Sequence, residues 1–145
     1  MITAILDSNI ILQSLLSDVT SASVQVVERY FDGDFELIFS EATLDELIDV
    51  LSLERLKAKH GYSDDEILEY VNSLLDNGQC FTVSQQVSAA VTRDITDTKF
   101  LALAQSSEAN FLVTNDARHL LPLGQFAKTR IVRPGEFLSV LQAQP

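Results

Sequence analysis

The sequence predicts an α/β fold, a three-layer α/β/α sandwich around a mostly parallel central sheet, in a single domain over residues 1–145. Three observations predict it. Short apolar runs alternate with stretches of helical period, the pattern of a parallel sheet covered on both faces. The first run, Ile2–Leu6, is nearly continuous, as in a strand buried on both sides. A chain of 145 residues, 46% of them hydrophobic, can bury one real core, and it shows no internal repeat or linker.

The elements follow in order. Ile2–Leu6 is the first strand, and a helix runs from about Asn9 to Leu16. A second helix runs from about Thr20 to Phe31 and stops at Gly33. Phe35–Phe39 is the next strand, and Ser40, a good N-cap, opens a helix through about Leu51. His60 precedes Gly61 at a helix end, where an imidazole can meet the helix dipole. Ser63-Asp64-Asp65-Glu66 is a capping box whose helix ends at Asn77-Gly78. Phe81–Val83 reads as a short strand, Asp97–Ser106 as an Ala- and Leu-rich helix, and Phe111–Thr114 as a strand. Ile131 and Val132 form a last short strand before Pro134 starts a terminal helix.

Composition narrows the function classes. Five Gly and three Pro exclude collagen-like and low-complexity chains. No apolar run approaches the ~20 residues of a membrane span. The start, MITAILDSN, lacks a basic flank and reads as a strand rather than a signal peptide. One cysteine, Cys80, cannot form an internal disulfide, so a packing role and a reducing, cytoplasmic setting are expected. The net charge of −11 repels nucleic acid over most of the surface and favours cations or a basic partner, although solubility alone also accounts for it.

In an open parallel sheet, ligands bind outside the carboxyl ends of the strands. Asp7-Ser8-Asn9 follows the first strand and Asn115-Asp116 follows Phe111–Thr114, while Asp94 and Asp97 lie at the start of a helix. Each is also a good N-cap type. Capping needs one short polar side chain per helix, however, and does not explain why Asp recurs at three sites expected to converge. Glu46 adds a fourth acid. On its helix Leu44, Leu47, Ile48 and Leu51 form the core stripe, and Glu41, Asp45, Asp49 and Ser52 the solvated one. Glu46 lies on neither, sharing a stripe with Ala42 and Val50, so a half-buried carboxylate in need of a cation is expected. A Glu that swings out to solvent, or a Thr43–Glu46 capping box, is the alternative. Asp97 shares a stripe with Leu101 and Ala104, with Lys99 pointing elsewhere. Asp7, Glu46, Asp97 and Asp116, without a His or Cys cluster, favour a hard cation, Mg²⁺ or Mn²⁺ over Zn²⁺. Crowding four carboxylates is expected to raise at least one pKa, so that Asp116→Asn or Asp97→Asn stabilises the metal-free protein. No G-x-S-x-G, Walker A or G-x-G-x-x-G sequence is present.

These segments resemble, in order, the four acidic motifs of PIN-domain ribonucleases: LDSNI, SEATLDELIDVL, RDITDTKFLALA and FLVTNDARHLL. The resemblance covers roughly residues 1 to 140 and is greatest to the VapC-like toxins of type II toxin–antitoxin systems. It implies metal-assisted hydrolysis of RNA, with Asp7, Glu46, Asp97 and Asp116 holding one or two Mg²⁺ or Mn²⁺ ions. Ser8 and Asn9 would orient Asp7 or a metal-bound water, Thr114 would bond a phosphate or Asp116, and Asp94 would be a further candidate or a cap. Arg93, Lys99 and Arg118 would form a basic rim for RNA. The implied partners are a cognate antitoxin and a second copy in a homodimer. Two departures stand out. Thr96 and Thr98 flank Asp97 where relatives often carry acids, and His119 stands where they often carry a second Asp. A thinned acidic shell leaves room for a second reading, a catalytically weak scaffold acting as a binding module. A phosphatase or receiver domain is a third, opposed by Asn9 where the haloacid-dehalogenase pattern needs an acid.

Overall fold

The computed structural model describes residues 1–18, 20–84 and 97–144. Six strands form one sheet: β1 (Thr3–Leu6), β2 (Glu36–Phe39), β3 (Gln79–Cys80), β4 (Phe111–Val113), β5 (Gln125–Phe126) and β6 (Thr129–Val132). Their order is β3-β2-β1-β4-β6-β5, parallel throughout except that β5 turns back antiparallel on β6. The helices are α1 (Ser8–Leu16), α2 (Ala22–Phe31), α3 (Glu41–Leu51), α4 (Glu54–His60), α5 (Asp64–Leu75), α6 (Thr98–Ser107) and α7 (Pro134–Gln142).

The two faces of the sheet follow from the period of two along each strand. Ala4 and Leu6 of β1, with Leu37, Phe39, Phe111, Val113 and Val132, pack against the apolar stripes of α1, α2, α3, α5 and α7. Ile5, Ile38, Leu112 and Ile131 point the other way, onto Phe100, Leu101 and Ala104 of α6. Each such fully buried aliphatic or aromatic side chain contributes roughly 1.5–3 kcal/mol. The predicted α/β/α layering is therefore the observed one. Phe137 of α7 locks one side by edge-on contacts with Phe35 at 4.9 Å and Phe111 at 5.5 Å between ring centroids.

Three local expectations need correction. The strand predicted at Phe81–Val83 starts two residues earlier, at Gln79–Cys80, with the Phe81 N–H still donating to the Phe39 carbonyl. Cys80 is exposed on that edge strand rather than packed. His60 does not meet its own helix end. Its Nδ1 accepts from the Tyr62 N–H at 3.0 Å, so its Nε2 donates to the Leu51 carbonyl at the end of α3, 2.9 Å away. Gly61 ends α4 in the left-handed region at φ 76°, where a glycine carries no steric cost. Among the described residues, no helix is long and apolar enough to cross a membrane.

Candidate metal centre

From β1 the chain moves to β2 on one side, whereas β4 and β6 lie on the other. The carboxyl ends of β1 and β4 therefore flank the switch point of the sheet, where a crevice opens in such folds. Asp7 ends β1 and its N–H extends the ladder to the Val113 carbonyl. Asp116 leaves β4 three residues beyond Val113. The adjacent pairing of β1 and β4, which the sequence does not encode locally, is what brings these two acids together.

Thr114 ties them. Its buried hydroxyl donates to Asp7 Oδ2 at 2.7 Å and accepts from the Asp116 N–H at 3.0 Å. Its role is thus toward both acids and not toward a phosphate. Asp7 is 6% exposed, and its Oδ1 accepts a long bond of 3.4 Å from the Asn9 N–H, a helix cap. Asn9 is exposed at the cavity and acts here through its backbone. Burial pushes the Asp7 carboxyl above the usual range, against the hydrogen bonds from Thr114 and Asn9 and with the charges of Glu46 and Asp116 adding to the rise.

Glu46 comes from the second turn of α3, whose start is fixed by a Ser40–Thr43 capping box rather than by Thr43 and Glu46. Its side chain is 18% exposed, as its stripe predicts. Ser8 donates to Glu46 Oε2 at 2.7 Å, so Ser8 orients Glu46 and not Asp7. Lys99 Nζ lies 3.3 Å from Glu46 Oε1. Periodicity directs the Lys99 Cβ away from Asp97, but a four-carbon stem in the first turn of α6 reaches across to α3, which packs beside it.

Asp97 is 8% exposed at the N-terminus of α6 and makes no side-chain cap bond, so capping does not account for it. Asp116 divides its two oxygens. Oδ1 accepts from the Arg118 and His119 N–H groups, both at 3.0 Å, closing the turn after β4. Oδ2 faces His119 Nδ1 at 3.5 Å. Burial raises the Asp116 carboxyl, but the His119 N–H, a hydrogen bond with the Asp97 side chain, the Arg118 N–H and the His119 ring together hold it below the usual range. His119 Nδ1 also lies 3.8 Å from Asp97 Oδ2. The residue that stands where relatives often carry a second Asp thus has its ring turned onto both aspartates.

Asp7, Ser8, Asn9, Glu46, Asp97 and Asp116 line one cavity of about 640 Å³. One ligand atom each from Asp97, Asp116 and His119 lie within 4.8 Å of one another. Two donors each about 2.1 Å from an ion stand about 3.0 Å apart at a right angle and about 4.2 Å apart in line. The His119 separations of 3.5 and 3.8 Å fall in that interval, so the donor set fits a divalent ion. Asp94 and Arg93 lie outside the described residues. Arg118 is exposed beside Asp116, in keeping with a rim position, while Lys99 is committed to Glu46.

The model of one family, described as a PIN domain, matches residues 3–118. No curated protein sequence matches the chain. A solved structure described as FitAB bound to an IR36 DNA fragment contains a chain of similar fold, with a TM-score of 0.56 and 15% identity. That match covers 90% of this chain and 94% of the other.

Proposed function

Because the chain belongs to the PIN-domain family, we propose that it is a Mg²⁺- or Mn²⁺-dependent endoribonuclease, the toxin of a toxin–antitoxin pair. The observation that carries the reading is the convergence of Asp7, Glu46, Asp97 and Asp116 on one cavity at the switch point of the sheet. Asp97, Asp116 and His119 would hold a divalent ion. An ion held there would supply the chemistry of a water with lowered pKa and a polarised scissile phosphate. The protein's own part is alignment. Thr114 ties the Asp7 carboxyl to the Asp116 backbone, and Ser8 with Lys99 fixes both oxygens of Glu46. Arg118 offers the RNA backbone positive charge next to the acids on an otherwise repelling surface.

A nuclease assay on single-stranded RNA, with added Mn²⁺ or Mg²⁺ against chelator, tests this reading. Cleavage is expected only with the ion, and ion-independent cleavage overturns the metal role. The imidazole nitrogen favours Mn²⁺ over Mg²⁺, which prefers oxygen donors. Mn²⁺ should therefore support activity at lower concentration than Mg²⁺, and His119→Ala should narrow that gap. DNA as a parallel substrate decides the RNA assignment.

The pairing of Lys99 with Glu46, which gives one of the four acids a cation from the chain itself, favours a second reading, the catalytically weak scaffold that binds without cutting. Mn²⁺ binding without cleavage of any nucleic acid would select it. The toxin assignment draws on the VapC-like resemblance and on the acidity of the chain. An antitoxin segment bearing Arg or Lys would pair with these carboxylates in place of the ion, and two copies of this chain would form the toxin dimer. Co-purification from the native host, followed by sizing of the free protein, tests both partners. Recovery of fully active, unpartnered protein overturns the antitoxin and leaves the nuclease.

A further inference from the structure

This inference rests on the metal-centre reading. The resemblance allows one ion or two, and the arrangement of charge in the cavity distinguishes them. Asp97, Asp116 and His119 present three ligand atoms within 4.8 Å of one another. Both oxygens of Glu46, by contrast, are engaged, Oε2 by the Ser8 hydroxyl at 2.7 Å and Oε1 by the Lys99 ammonium at 3.3 Å. A half-buried carboxylate needs a cation, and here the chain supplies it. With side chains 27% and 18% exposed, Lys99 and Glu46 form a pair that solvent and salt screen less than a surface pair. The ammonium is also tethered, so it competes at a high effective concentration with any ion arriving from solution.

We propose that Lys99 stands in for a second metal ion: it holds Glu46 permanently, and the cavity takes a single divalent ion at Asp97, Asp116 and His119. Lys99 is then a positioning residue that keeps Glu46 out of the ion's ligand set and sets the metal count.

The test is a Mn²⁺ titration of the full-length, metal-free protein, with free Mn²⁺ read from its paramagnetic resonance signal. Wild type and Lys99→Arg, which keeps the charge, should each bind one ion per chain. Lys99→Gln, which keeps the stem and removes the charge, should bind two. Two ions in wild type, or one in Lys99→Gln, would overturn the assignment of Lys99 while leaving the metal centre standing. No bound Mn²⁺ in wild type with a native circular-dichroism spectrum would instead overturn the metal centre, and this inference with it. Lys99→Met, also uncharged and of similar length, should bind two ions as well and makes the same distinction where Lys99→Gln folds poorly.

Discussion

Asp97→Asn is expected to lower metal-dependent RNA cleavage at least about 100-fold with the fold intact, because a group acting on the transition state commonly supplies a few kcal/mol. Asp97 makes no side-chain cap bond to α6, so no cap is lost, and Asn has nearly the same volume. Asp7→Asn should lose activity to a similar degree, since Thr114 can still donate to the amide oxygen while the cavity loses a carboxylate. The helix α3 supplies an internal control. Asp45, exposed and one residue from Glu46, should tolerate Asn with a change of no more than about twofold, whereas Glu46→Gln releases the Lys99 ammonium and should cost at least about 10-fold. Steady-state cleavage rates, with circular dichroism to verify folding, check all four variants. Equal losses in Asp45→Asn and Glu46→Gln would defeat the assignment of Glu46 to the site.

Asp7→Asn should at the same time make the metal-free protein more stable, by about 1 kcal/mol or a rise in Tm of roughly 4 °C at this chain length. Burial, with the charges of Glu46 and Asp116, holds the folded-state pKa of Asp7 above its unfolded value. The folded protein binds that proton more tightly than the unfolded chain, so the associated stability is present below the unfolded pKa and is lost as pH rises through the folded one. At neutral pH the ionised Asp7 is a burden that Asn removes, and the gain should vanish when melts are repeated below about pH 4. Asp116 behaves oppositely. Its folded-state pKa is depressed, so it stabilises above its unfolded value and loses that contribution as pH falls through the folded pKa. Asp116→Asn should thus lower stability at neutral pH, the reverse of the relief expected from crowding alone. Mn²⁺ should raise the Tm of wild type more than that of Asp97→Asn, by mass action on the folded state. Unchanged melting of wild type with Mn²⁺ would leave the acids as caps and turn closures.

The sequence by itself determined the α/β class, because the alternation of apolar runs with helical periods is a local property of the chain. It also determined the half-buried position of Glu46, since 100° per residue places that side chain between the core and solvent stripes of α3 whatever lies beyond. The setting of Asp7 and Asp116 just after strands was legible for the same reason. The tertiary structure alone decided what these residues meet. Pairing of β1 with β4 joins segments more than a hundred residues apart, and no local propensity specifies it. The two-residue strands β3 and β5 are too short to leave a period, so they exist only because neighbouring strands supply their hydrogen bonds. Lys99 and His119 show the limit most clearly. Periodicity gives the direction of a Cβ, but the end of a long stem or the plane of a ring settles where charge and hydrogen bonds call it. Those partners, Glu46 for one and Asp97 with Asp116 for the other, are assembled only when the sheet is.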